Sequence, residues 1–352
     1  GFFTRHISIH NFTKLTTTTL RFAQSFTLSS DFFCKFFLDF SKFTIIFKNM
    51  EKIAENIYII PGPTNVGVIT DFQNQIYLID SGTSNGDAER IKEELDKTFS
   101  NYTLKAIINT HSHADHAGGN AFFKEKTDCK IFIQKKEKPL LENSSLHPFL
   151  IWGANPLPEL CTDYLKINEC EATDIISEKS VLSLENGTHI NFIELPGHYF
   201  EMFAVLVTSK NARKILFLGD GLLGYKTINR YWISFLIDYK KLLSSFEKIN
   251  QIKADLYIPS HGEITSSISE TVEMNQIAIL STENCILKEL KKSPLSTENL
   301  VKKVCEKNAI NLKLMQYALI TSTIKSYLTV MYNEQKVDFT IEDNILLWHL
   351  KS

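Results

Sequence analysis

From Met50 onward the apolar residues follow two alternating rhythms. NIYIIPGPTNVGVIT and QIYLIDSG are short β-branched and aromatic runs punctuated by Pro-Gly, Gly-Pro and Asn, which predicts a hairpin of strands. Residues 86–99 then switch period, with Ala88, Ile91, Leu95 and Phe99 spaced three and four apart, and predict a helix. LKAIINTHSHADH reads as a buried strand entering a polar loop, AGGNAFFKEK as a short helix and CKIFIQK as another strand. HINFIELPGH, MFAVLVTS and KILFLGD add three strands, DYKKLLSSFEKI a helix and ADLYIPSHGE a further strand. Such repeated alternation is the pattern of an α/β protein, in which loops at the carboxyl ends of strands carry the chemistry.

Downstream the rhythm becomes helical. Residues 268–292, SPLSTENLVKKVCEKN and LKLMQYALITSTIKSYLTVMYNEQK predict three helices, with Ser296 or Thr297 as an N-cap for the second. VDFTIEDNILLWHL predicts a hairpin turning at Glu342-Asp343-Asn344. Three expected segments follow: a leader over residues 1–49, a catalytic domain over 50–266 and a small C-terminal helical domain over 267–352.

Residues 1–49 differ in composition. They hold 12 of the 25 Phe, with six basic residues against two acidic, a local charge of +4 that leaves −6 on the remainder of a chain whose net charge is −2. FFCKFFLDFSKFTIIF is interrupted by Lys35, Asp39 and Lys42, and so lacks the roughly 20 apolar residues of a spanning helix. The segment reads as a disordered or non-native leader ahead of Met50. A basic, acid-poor, hydroxyl-rich organelle presequence and an ordered extension are the alternatives.

The rest of the composition narrows the class. With 38 Lys+Arg against 40 Asp+Glu, the chain is not one that coats nucleic acid or anionic membrane. Cys34, Cys129, Cys161, Cys170, Cys285 and Cys305 are scattered without a C-x-x-C pair, as expected of reduced thiols in a cytoplasmic protein, and they exclude a zinc ribbon.

One cluster stands out. His111, His113, Asp115 and His116 form H-x-H-x-D-H directly after a predicted strand, beside Gly118-Gly119. In a tight loop this spacing turns His111 and His113 to one point and Asp115 and His116 to a second, a few ångströms away. Imidazole with carboxylate suits Zn²⁺ best, and also Fe or Mn. Two metals need more ligands, and each comes from another strand end: His198 in P-G-H, Asp220 in F-L-G-D-G and His261 in P-S-H-G-E.

The ordered set LIDSG, HSHADH, PGH, LGD and PSHG, over roughly residues 53–265, resembles the metallo-β-lactamase-fold hydrolase superfamily. The resemblance implies a four-layer αββα sandwich with two metals at one edge. It implies His111, His113 and His198 on one metal, Asp115, His116 and His261 on the other, Asp220 bridging, and Asp80 orienting the HSHADH loop without ligating. It implies hydrolysis by a hydroxide shared between metals about 3.5–4 Å apart, with Asp115 accepting its proton.

Substrate is less constrained. Tyr199, Tyr225 and Lys226 adjoin ligands and could hold an oxyanion or carboxylate, although packing or solvated surface is the commoner role of such residues. HPFLIWGANPLPEL, residues 147–160, could wall a pocket with Phe149, Trp152 and Leu157, or serve as an ordinary packed loop or dimer contact. No β-CASP-like insertion, basic RNA-processing arm or flavodoxin-like partner domain is evident. Three helices and a hairpin outline a winged helix, similar to the small C-terminal domain of some glyoxalase-II-like and endoribonuclease-like members. Residues 281–352 carry ten Lys and eight Asp+Glu, and the third helix offers mainly Lys313 and Lys325, which favours packing or dimerisation over nucleic-acid reading. The expected function is a dinuclear hydrolase of small esters, thioesters or lactones. A metal-dependent phosphodiesterase or endoribonuclease is the alternative, and a non-enzymatic metal sensor is disfavoured by the complete ligand set.

Overall fold

The computed structural model describes residues 49–351, so the expectations for the leader, and Cys34 within it, lie outside the described residues. Strands β1 (Glu51–Ala54), β2 (Ile57–Ile60), β3 (Val66–Thr70) and β4 (Gln75–Ile79) form an antiparallel meander. Helix α1 (Asn85–Thr98) then leads to β5 (Thr103–Ile108), which pairs parallel to β4. Short helices α2 (Ala114–Ala117) and α3 (Asn120–Thr127) precede β6 (Lys130–Gln134). Helices α4 (Lys138–Glu142) and α5 (Leu146–Trp152) lead to β7 (Asp174–Ile176), which closes a sheet of seven strands in sequential order. The second sheet has five strands: β8 (Val181–Ser183), β9 (His189–Glu194), β10 (Phe203–Thr208), β11 (Lys214–Gly219) and, after helices α6 (Tyr225–Tyr231) and α7 (Tyr239–Gln251), β12 (Leu256–Pro259) parallel to β11.

The near-continuous apolar strands are explained by burial on both faces. Side chains alternate between two cores: on β11, Ile215 and Phe217 face the other sheet, while Leu216 and Leu218 face the outer helices. On β5 and β6, Ala106, Ile108 and Phe132 face inward, and Ile107, Ile131 and Ile133 meet Ala88, Ile91 and Leu95 of α1. One core therefore lies between the sheets and one outside each of them, which is the four-layer αββα arrangement. Each fully buried aliphatic side chain contributes about 1.5–3 kcal/mol.

The C-terminal elements are α8 (Ser269–Leu290), α9 (Thr297–Lys307), α10 (Leu314–Asn333) and the hairpin β13 (Val337–Glu342) and β14 (Ile345–Leu350). Ser296 caps α9, accepting the Asn299 N–H at 3.3 Å. The hairpin turns through Asp343 and Asn344, both at positive φ, as a two-residue turn between twisted strands requires. These helices do not bury a core of their own. Ile279, Ile286, Leu300, Ile324, Tyr327 and Met331 share one cluster with Met202, Leu216 and Leu218 of the second sheet and its flank. Helix α10 is exposed along its length only at Gln316, Lys325, Thr329, Tyr332 and Asn333, so the third helix of the winged-helix outline is largely covered. Among the described residues no helix is long and apolar enough to cross a membrane. Cys129, Cys161, Cys170, Cys285 and Cys305 are free thiols, as their scatter predicts.

Candidate metal centre

Five strands end at one edge, and each delivers a polar side chain there: Asp80 after β4, His111 after β5, His198 after β9, Asp220 after β11 and His261 after β12. Two glycines make the geometry possible. A Cβ on Gly118 would stand 2.0 Å from the Thr83 carbonyl oxygen, so only glycine lets the histidine loop close on the β4–α1 turn. Gly197, at φ +123°, presses its backbone on α7, where a Cβ would meet the Leu242 nitrogen at 2.2 Å, and its carbonyl accepts the Ile237 and Asp238 N–H groups at 3.0 Å each. His198 is thereby presented from a fixed turn.

The histidines are oriented by their far nitrogens. Asp80 Oδ2 accepts the His116 Nδ1–H at 2.8 Å, and Asp80 Oδ1 accepts the Thr110 N–H at 2.8 Å. The Thr110 hydroxyl donates to Asp80 Oδ2 at 2.9 Å, so it accepts the His111 Nδ1–H at 3.1 Å. His198 Nδ1–H donates to the Phe235 carbonyl at 3.0 Å and His261 Nδ1–H to the Pro63 carbonyl at 2.7 Å. Four rings thus hold Nδ1 outward and turn Nε2 to the interior. His113 is the exception, since its Nδ1 lies 2.9 Å from His111 Nε2 and 3.1 Å from His198 Nε2. Three lone-pair nitrogens converging this closely match the edges of a ligand tetrahedron, about 3.3 Å for metal–nitrogen bonds of roughly 2.0–2.1 Å.

Asp220 stands between two clusters. Its Oδ2 is 3.5 Å from His198 Nε2, and its Oδ1 is 3.3 Å from His116 Nε2 and 3.4 Å from His261 Nε2. Asp115 Oδ2 is 2.9 Å from His261 Nε2 and 3.8 Å from His116 Nε2. Ligand atoms of His111, His113 and His198, of His111, His116 and Asp220, and of Asp115, His116 and His261 each lie within 4.8 Å of one another. Among the described residues His116 Nε2 and Asp220 Oδ1 are buried 3.3 Å apart with no well-formed hydrogen bond to any other group, which is costly for a protein alone and is relieved by a cation. The donor set of imidazole nitrogens and carboxylate oxygens fits divalent metal.

Burial and the neighbouring imidazoles hold His111 and His113 well below the usual histidine range, and burial lowers His198, so all three stay neutral and able to ligate. Burial opposes charge on His116 and His261 as well, but there Asp115 and Asp220 prevail. His116 is raised well above its ordinary value, with Asp80 also contributing, and His261 is raised to about 9. The same contacts lower Asp115 and Asp220 against their burial.

The remaining sequence candidates separate. Tyr199 is buried, with its ring centroid 4.0 Å from that of His113 and its hydroxyl 2.9 Å from His147 Nδ1, so it packs against the cluster. Tyr225 is exposed at the start of α6, and Lys226 borders His261 through Glu263, its N–H donating to that carboxylate at 3.4 Å. In the 147–160 segment, Phe149 and Leu157 are exposed, while Trp152 packs with Leu160 and Leu165 against Ala318 of α10. Sequence reasoning misses His147, Phe235 and Glu137. The Phe235 ring centroid lies 5.5 Å from that of His113 and 5.8 Å from that of His198. Burial lowers His147 to about 4 and raises the Glu137 carboxyl. None carries a spacing signal, although Glu137 follows a strand end as the candidate ligands do.

The metallo-beta-lactamase superfamily model matches residues 59–261. The chain is 26% identical over 231 residues to the probable metallo-hydrolase YybB of Bacillus subtilis, covering 61% of this chain and 91% of that protein. It is 26% identical over 220 residues to the hydroxyacylglutathione hydrolase GloC of Haemophilus influenzae, covering 60% and 92%. The crystal structure of metallo-beta-lactamase family protein TTHA1429 from Thermus thermophilus superposes with a TM-score of 0.67 at 15% identity, covering 85% of this chain and 100% of that one. A beta-lactamase domain protein from Burkholderia ambifaria gives 0.66 at 14%, covering 86% and 94%. These spans exceed residues 59–261, so the shared fold takes in part of the chain outside the family match. With the ordered motifs, the αββα layers and the His/Asp cluster at their edge, the chain belongs to the metallo-beta-lactamase superfamily of metal-binding hydrolases.

Proposed function

We propose that the protein is a dinuclear metallohydrolase of small carbonyl esters, a class that includes thioesters and lactones. His111, His113 and His198 would hold one divalent cation, Asp115, His116 and His261 the other, and Asp220 would bridge them, with Zn the best match to the donors. The observation that carries this reading is the gathering of three ligand groups at one sheet edge, with His116 Nε2 and Asp220 Oδ1 buried among them 3.3 Å apart. Such a cation pair would lower the pKa of a bound water and polarise the oxygen under attack.

The chain's own groups supply the rest. The Asp115 side chain is 27% exposed against 9% for Asp220, so it is the carboxylate nearer the opening. His116 and His261 keep it ionised, and it accepts the proton of the attacking water. Phe235, half-buried beside His113 and His198, offers aromatic surface that suits an apolar acyl or leaving group, with Tyr199 packed behind the histidines. A carbonyl substrate is favoured over a phosphodiester by the relative named as a hydroxyacylglutathione hydrolase and by a covered α10 that offers no basic face. The C-terminal helices then serve packing.

The test is to purify the full chain, count bound metal, and compare hydrolysis of a glutathione thioester with that of bis(p-nitrophenyl) phosphate. Two metals and a strong thioester preference are expected. A preference for the phosphodiester would move the nuclease reading to the front.

A further inference from the structure

A buried carboxylate outside the candidate ligand set lies between the two loops that carry the three histidines. Glu137, beside the start of α4, has no exposed surface and no ion-pair partner among the described residues. Its Oε2 accepts both the Ser112 N–H, at 3.1 Å, and the Ser112 hydroxyl, while its Oε1 accepts the Glu201 N–H at 2.9 Å. Ser112 separates His111 from His113, and Glu201 lies three residues past His198. A single side chain therefore grips both loops by accepting three hydrogen bonds. A buried anion that relies on hydrogen bonds alone is held in one geometry, because loss of any donor leaves charge unsatisfied.

We propose that Glu137 is a positioning residue for the three-histidine half of the centre, fixing the separation of the two loops and with it the metal occupancy of that half. The proposal rests on the ligand assignment above. The other half is secured by different partners. Asp80 orients His116 and the Pro63 carbonyl orients His261, while the Asn65 amide holds the His261 loop by donating to the Pro259 and Gly262 carbonyls at 2.9 Å each. Disturbing Glu137 therefore acts on one half only.

Glu137→Gln keeps the shape and removes the function. All three neighbours donate, so whichever way the amide turns, its NH₂ faces a backbone N–H and one loop is released. Ser112→Ala removes only the hydroxyl bond. The experiment titrates the full-length metal-free parent, Glu137→Gln, Ser112→Ala and the double variant with Co²⁺, following visible absorption and bound metal per chain, with circular dichroism as the check on folding. Parent chain is expected to take up two ions. Glu137→Gln should take up one with parental affinity and the other about 10–100-fold more weakly. Ser112→Ala should show a smaller loss, and the double variant should be no weaker than Glu137→Gln, as for two partners in one interaction.

Parental affinity for both ions in folded Glu137→Gln, or equal weakening of both, would overturn the proposal. If Glu137→Gln does not fold, parental binding of both ions by Ser112→Ala would overturn it instead. Loss of one ion in His113→Ala but not in Glu137→Gln would leave the ligand assignment standing and remove the clamp. A parent that takes up no Co²⁺ would end both.

Discussion

The two halves of the centre grow from one six-residue stretch and yet are built on opposite electrostatic plans. His111, His113 and His198 are held neutral by burial and by one another, and this set has no carboxylate except the shared Asp220. Asp115, His116 and His261 include a carboxylate of their own, and their two imidazoles are raised above the usual range by acidic neighbours. The first half is a pre-emptied pocket of lone pairs, whereas the second is a charged pocket in which protons occupy the place a cation would take. Protons and metal therefore compete chiefly in the second half.

This contrast can be broken in a definite order. The largest effect belongs to Asp220→Ala, which strips the first half of its only carboxylate and removes the link to the second. Turnover should fall by about 10³-fold or more, with loss of bound metal, measured by kcat/KM and elemental analysis. Next come His113→Ala and Asp115→Asn, each expected to lower the metal count by one, from different halves. If both variants shed the same ion, the two halves are not separate sites.

The smallest effect concerns acid. His147, against Tyr199 and near His113, is lowered to about 4 by burial, while an unfolded histidine titrates near ~6.5. Between those values the unfolded chain binds a proton that the folded one refuses, so stability falls as pH drops from about 6.5 to about 4, by about 3 kcal/mol in total. Denaturant melts of metal-free His147→Asn should lack this part of the slope. An unchanged slope would place the acid sensitivity elsewhere.

Much of this is legible in the chain. Ile215 to Leu218 reads as a strand buried on both sides because it has no polar alternate, and it separates its side chains between two cores. The seven candidate ligands are legible because metal chemistry restricts residue type and loop geometry restricts spacing. Strands β7 and β8, three residues each, carry too few positions to show a period, and two of the four residues of β1 are charged. Glu137 and His147 are silent for another reason. Their contacts are with Ser112, Glu201 and Tyr199, between 25 and 64 residues away along the chain, and a single polar residue does not announce so distant a partner. The 147–160 segment is compatible in sequence with a pocket wall or a packed loop, and Trp152 and Leu160 take the packed role against α10.

The single apolar cluster shared by the second sheet and helices α8 to α10 bears on how the chain can be divided as well as on folding. A segment that seals another layer's core is not an independent cassette in this chain, because removing it near residue 267 would leave Leu216, Leu218 and Met202 without the apolar face that covers them. Substitutions on the solvent side of these helices leave that contact untouched, whereas a change at Leu216, Leu218 or Met202 acts on both parts at once.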